Sequence, residues 1–347
     1  KRQKAPLVSD IGYELPGEKG FVFHRRAIHK GEIHETDNSR KTGKCLVRHC
    51  DQGYSIRKAK KQDDNMNFTL IETDSALLGF REKTYRDKIN KIAVDFEGES
   101  NLHAYGEKLC LIQIFDGEQY YIIDPLKISD REIKNFLEDK TTIKIMYGAE
   151  SDATLVYSQY GVQVRNVFDL KIVVDTLNIE HKGLDAVLKY FFDVDIKDKK
   201  KYQRYNWLIR PIHKDALFYA LNDVCHLLKL NERLMKEIRA KDKYDDLIYT
   251  LVTRNYNPAK NRTPGIFKKN EYKRLNNSQK ELFKELYDIR ESYAKEYNLP
   301  PFQVFDNNSL FDLATGKKMP ATIKVCVKLS RKSQHEMREK ISSVLGL

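Results

Sequence analysis

Apolar and polar positions along the chain fall into three textures. Over 1–66, short apolar stretches such as Gly20-Phe21-Val22-Phe23 and Cys45-Leu46-Val47 lie among Gly, Lys and Arg, which predicts an extension or a small β-rich appendage. From Phe68 the apolar runs lengthen. Asp74 can cap a helix over 74–78, and Lys91-Ile92-Ala93-Val94-Asp95-Phe96 reads as a buried strand. Two more strands, 109–115 and 119–123, flank the turn signal Asp116-Gly117, and three strands in succession predict a meander.

The pattern then alternates. A helix over 131–137, a short strand at 144–147, a turn at Gly148, a helix from Ser151, a strand at Val167-Phe168-Asp169 and helices over 170–177 and 184–190 predict an α/β layer spanning 67–240. Trp207-Leu208-Ile209-Arg210-Pro211 ends in a proline that a helix interior does not tolerate, and one long amphipathic helix is expected over 213–239. Residues 241–270 read as a connector with a turn-rich end. Residues 271–347 read as a small helical domain, with Ser278 as a cap, a break at Asn298-Leu299-Pro300-Pro301 and a strand-like stretch at 324–331.

Composition narrows the class. The 347 residues are 41% hydrophobic and 32% charged, which predicts compact cores under a heavily solvated surface. No run approaches the ~18 apolar residues of a membrane span, and the basic start is not followed by an apolar signal core, so neither a membrane nor secretion is expected. The five cysteines are odd in number and scattered, which favours a reducing compartment over a disulfide framework. Cys45, His49 and Cys50, with His24, His29 and His34 upstream, fit no standard zinc spacing and read as ordinary thiols and imidazoles.

Charge is unevenly spread. The net +12 divides into +6 over 1–66, −2 over 67–240 and +8 over 241–347. Basic flanks around a slightly acidic centre suit a polyanion held by the ends of the molecule, although solubility alone also accounts for them.

The acidic centre contains a notable spacing. Asp95 and Glu97 sit two apart at the end of an apolar strand, so alternation places both on one face. Such a pair is costly unless a cation neutralises it, or unless it is simply a solvated strand end. Asp152 falls in the first turn of a helix, where the dipole favours an anion with or without a functional role. Tyr219 and Asp223 share one face of a late helix at a spacing of four, a common arrangement taken alone.

In order, strand Asp-x-Glu, Gly-x-x-x-Asp at a helix start and Tyr-x-x-x-Asp on a late helix resemble the DEDD exonuclease superfamily. The likeness is to its tyrosine-containing branch, the ribonuclease D and Rrp6-like exoribonucleases. Further matches are 111–119, Ile123-Asp124-Pro125-Leu126, Phe168-Asp169 and Trp207-Leu208-Ile209-Arg210-Pro211. Tyr147 stands where these enzymes often have a histidine, and Leu170 where a threonine is frequent; neither is an expected metal ligand. Residues 275–279, 303–306 and 310–314 look like an HRDC domain.

The resemblance implies a ribonuclease H-like mixed β-sheet flanked by helices, plus a small all-α HRDC-like domain. It implies two divalent cations, Mg²⁺ or Mn²⁺, held by Asp95, Glu97, Asp152 and Asp223, with Asp95 shared and Tyr219 orienting the attacking water. The implied partner is RNA with a free 3′ end, trimmed in tRNA or other stable RNA processing. A DNA-directed exonuclease and a non-catalytic RNA-binding module are the alternatives. The wording around Asp116-Gly117-Glu118-Gln119 favours cytoplasm, with the nucleus expected in a eukaryotic host.

Overall fold

The computed structural model describes residues 67–196, 199–253 and 263–347, all within one compact unit, Lys60–Leu347. The expected appendage over 1–66, with its cysteines and histidines, lies outside the described residues. The first elements are β1 (Phe68–Ile71), α1 (Asp74–Arg86), β2 (Lys91–Ser100), β3 (Glu107–Phe115), β4 (Tyr120–Ile123), α2 (Asp130–Leu137), β5 (Ile143–Met146), α3 (Glu150–Tyr160) and β6 (Val167–Asp169). They are followed by α4 (Leu170–Thr176), α5 (Leu184–Phe192), α6 (Lys199–Tyr202), α7 (Lys214–Cys225), α8 (Leu227–Ala240) and α9 (Tyr244–Thr253).

The strands form one mixed sheet in the order β1-β4-β3-β2-β5-β6. The expected meander is its centre: β2 with β3 and β3 with β4 are antiparallel, while β1, β5 and β6 join in parallel. Alternation along the strands builds two apolar layers. Ile92, Val94 and Phe96 of β2 pack with Leu77, Phe136 and Val156 from α1, α2 and α3. On the other face, Ala93 of β2 packs with α4, α5, α7 and α8 through residues such as Val173, Leu188, Ala220 and Leu234.

Several elements depart from expectation. Thr73, not Asp74, accepts the capping hydrogen bond of α1. The single helix over 213–239 is two, α7 and α8, broken at His226. The stretch read as a connector contains α9.

The remaining helices are α10 (Asn270–Lys273), α11 (Asn277–Glu296), α12 (Pro301–Val304), α13 (Asn307–Ala314) and α14 (Arg331–Leu345). They enclose a third core around Phe283, Leu286, Leu310, Met337 and Ile341. Asn276, rather than Ser278, caps α11, in a capping box with Gln279. The strand-like stretch at 324–331 has no strand; Val325 and Leu329 are buried in this core, while Val327 is exposed. Among the described residues no helix is long and apolar enough to cross a membrane.

A candidate carboxylate metal centre

In β2, Ala93, Asp95 and Glu97 share the face covered by α7, because Ile92, Val94 and Phe96 commit the alternate positions to the opposite core. Asp95 lies opposite Gln113 of β3, and Glu97 opposite Leu111. The register then shifts between Glu97 and Gly98, whose partner is Leu109, so β3 carries an extra residue, Cys110. Such a bulge ends the regular alternation next to the acidic pair. Gly98 also keeps this corner open: a Cβ there would meet a Leu155 methyl at 2.6 Å and the Lys108 carbonyl at 3.2 Å.

Helix α7 buries Ala216, Ala220, Leu221 and Val224, and this small-residue surface lets it lie close over the sheet. Asp223 is thereby brought to the β2 pair: one carboxylate oxygen from each of Asp95, Glu97 and Asp223 lies within 4.8 Å of the others. One turn earlier, Tyr219 stacks its ring on Tyr202, with centroids 4.6 Å apart. Tyr205 and Trp207 continue this aromatic packing at 6.1 and 4.8 Å.

Asp152 stands in the first turn of α3 and outside that close trio, yet near enough that its charge acts on both Asp95 and Glu97. The helix start is held from the neighbouring strand. Asp169 accepts hydrogen bonds from the backbone N–H groups of Gly148 (2.7 Å), Ala149 (3.1 Å) and Lys171 (2.9 Å). Gly148 adopts φ +73°, a conformation that favours glycine, so the Tyr147-Gly148 turn and Asp169 together aim Asp152.

Burial, then the charges of Asp223 and Asp152, push the Asp95 and Glu97 carboxyls well above the usual range, and Glu97 adds to the effect on Asp95. Burial and Asp169 raise Asp152 to about 7. Among the described residues no lysine or arginine pairs with Asp95 or Glu97. An all-oxygen donor set whose members suppress one another's ionisation fits a hard divalent cation, which would favour the charged form of each. The Tyr219 phenol is also raised, by burial and then by Asp223, Glu97 and Asp95.

Two supports had appeared only as matching segments. Arg210 makes a bidentate pair with buried Asp124, at 2.6 and 2.8 Å, and also donates to the carbonyls of Cys110 and Trp207. It thus ties the segment before α7 to β3 and to the end of β4. The two departures from the family pattern also have defined surroundings. Leu170 is buried in the core, and the Tyr147 hydroxyl donates to the Lys182 carbonyl at 2.6 Å, fastening the loop before α5.

Residues 68–239 match the family model described as 3′-5′ exonuclease, and residues 279–347 match the HRDC domain. The chain therefore carries a domain of the 3′-5′ exonuclease family followed by an HRDC domain. Exosome complex component 10 of Mus musculus is 28% identical over 257 residues, covering 71% of this chain and 28% of the relative. Exosome complex exonuclease RRP6 of Saccharomyces cerevisiae is 29% identical over 253 residues, covering 70% of this chain and 32% of the relative. The chain thus spans less than a third of each. Among solved structures, Escherichia coli RNase D, described as an exoribonuclease involved in structured RNA processing, superposes with a TM-score of 0.62. That match is 23% identical and covers 81% of this chain and 76% of the other, so it bears on the fold.

Proposed function

We propose that this chain is a metal-dependent 3′→5′ exoribonuclease that releases nucleoside 5′-monophosphates from RNA 3′ ends. The observation that carries this reading is the trio Asp95, Glu97 and Asp223 within 4.8 Å, with Asp152 and Tyr219 adjoining, on an exonuclease-family sheet. Two divalent cations, Mg²⁺ or Mn²⁺, held by Asp95, Glu97, Asp152 and Asp223, would supply activation of the attacking water and stabilisation of the departing 3′ oxygen.

The protein's own part is positioning. Asp95, at the centre of the carboxylate group, would be shared between the two ions. Burial and the neighbouring carboxylates oppose ionisation of the Tyr219 phenol, which favours a hydroxyl that orients the attacking water. Stacking on Tyr202 fixes the direction of that hydroxyl. RNA is favoured over DNA by the ribonuclease and exosome names of the relatives. Trimming of tRNA or another stable RNA, in the cytoplasm or in the nucleus of a eukaryotic host, is the corresponding setting.

The test is digestion of 5′-labelled RNA and matched DNA, each with a 3′ extension, with Mg²⁺ or Mn²⁺, beside an Asp95→Asn, Glu97→Gln double variant. Shortening from the 3′ end, faster on RNA and lost in the variant, is expected. Faster shortening of DNA would overturn the substrate assignment. Intact RNA and DNA under both metals, with RNA still bound, would overturn the enzyme reading in favour of a binding module.

A further inference from the structure

Gln113 is fully buried at the middle of β3, and neither its amide nitrogen nor its amide oxygen has a hydrogen-bond partner. A buried amide left unpaired is costly, and an apolar side chain of the same shape would avoid that cost. The position explains what the amide is for. Gln113 lies directly opposite Asp95 across the β2–β3 ladder, so the two side chains share one face, with Cβ atoms roughly 5 Å apart. Its partner on the other side is Ile122, and nearby Ala93 and Leu111 belong to the same apolar cluster. The polar group that the strand register brings alongside the amide is the Asp95 carboxylate.

We infer that Gln113 is a positioning residue for the metal centre: once the carboxylates hold divalent cations, its otherwise unpaired amide N–H turns to donate to one oxygen of the Asp95 carboxylate and leaves the other directed toward Glu97 and Asp223. This inference rests on the carboxylates holding divalent cations, as proposed above. Hydrogen bonds to a ligating carboxylate fix its orientation, and their loss typically lowers metal affinity by about 10- to 100-fold.

Gln113→Met keeps the unbranched shape and removes both polar atoms. Calorimetric titration of Mn²⁺ into chelator-stripped wild type and Q113M, with thermal melts of both, separates the roles. The expected result is a variant that melts no lower than wild type yet binds Mn²⁺ about 10- to 100-fold more weakly. Equal Mn²⁺ affinity in a folded Q113M would overturn the inference and leave the exonuclease reading standing. If the wild type binds Mn²⁺ but shortens no RNA, the exonuclease reading fails alone, and the same comparison of affinities still decides the role of Gln113. Should Q113M not fold, a crystal structure of the Mg²⁺-loaded wild type decides. A Gln113 nitrogen within hydrogen-bond distance of an Asp95 oxygen supports the inference, and an amide directed elsewhere overturns it.

Discussion

Burial and the charge of Asp169 push the Asp152 carboxyl up to about 7, from 3.8 for an unperturbed aspartate. Between those values the folded protein binds more protons than the unfolded chain, so this group makes stability fall as pH rises through the interval. Asp152→Asn removes that contribution. In chelator, calorimetry should find the variant melting above wild type at pH values beyond about 7, with the gap closing as pH falls toward 4. Saturating Mg²⁺ should narrow the gap at neutral pH, because the cation restores the charged form. A gap that does not change with pH would mean that Asp152 is not held against its ionisation. At this scale, alternation and helical spacing put Asp95 with Glu97 and Tyr219 with Asp223 on shared faces, but it was the resemblance to the DEDD exonucleases that singled these residues out. The work of Asp169 and Gln113 was not legible, because an acceptor for three backbone N–H groups and an orphaned amide appear only when strands far apart in sequence are paired.

Among the elements, the segment 207–211 owes its place to one guanidinium. Arg210 satisfies buried Asp124 with two hydrogen bonds and three backbone carbonyls besides. Removing one partner of such a pair leaves an uncompensated buried charge. Arg210→Ala should therefore cost about 3–5 kcal/mol in denaturant unfolding. The double change Arg210→Met with Asp124→Leu should recover part of that loss; an Arg210→Ala effect below about 1 kcal/mol would show the pair to be dispensable. Sequence pattern located most strands and helices but misjudged junctions. Residues 214–240 contain no glycine or proline, so nothing local announces the break at His226. It is set by packing, with α7 lying on β2 and β3 while Leu230 and Leu234 take α8 against α4. Helix α9 was hidden for the opposite reason: Tyr244, Ile248 and Val252 are exposed, so its apolar residues do not mark a single buried face. At 324–331 the valines alternate as in a strand, but they lie in a helical domain that offers no strand to pair with.

Across the whole described unit, the helical domain is tied to the hairpin that bears the acidic pair. Tyr105, in the loop joining β2 to β3, packs with the apolar cluster of α11–α14, and its N–H donates to the Asn298 side chain at 3.3 Å. This contact joins the domain to the loop that follows the strand carrying Asp95 and Glu97, and in sequence residues 241–347 carry a net charge of +8. Lys324 and Lys328 are exposed on the segment before α14 and Arg331 at the first position of that helix, cationic side chains suited to the backbone of a single-stranded RNA. Each phosphate contact releases condensed counterions and adds about 0.7 to the slope of log affinity against log salt for a single strand. Replacing all three residues with glutamine should therefore flatten that slope by about 2, measured by anisotropy of a labelled RNA in chelator, where cleavage is suppressed. Shortening of a brief oligonucleotide at saturating concentration should be little changed, since the carboxylates are untouched. An unaltered salt slope would remove this segment from the RNA path and place the phosphate contacts on another face of the molecule.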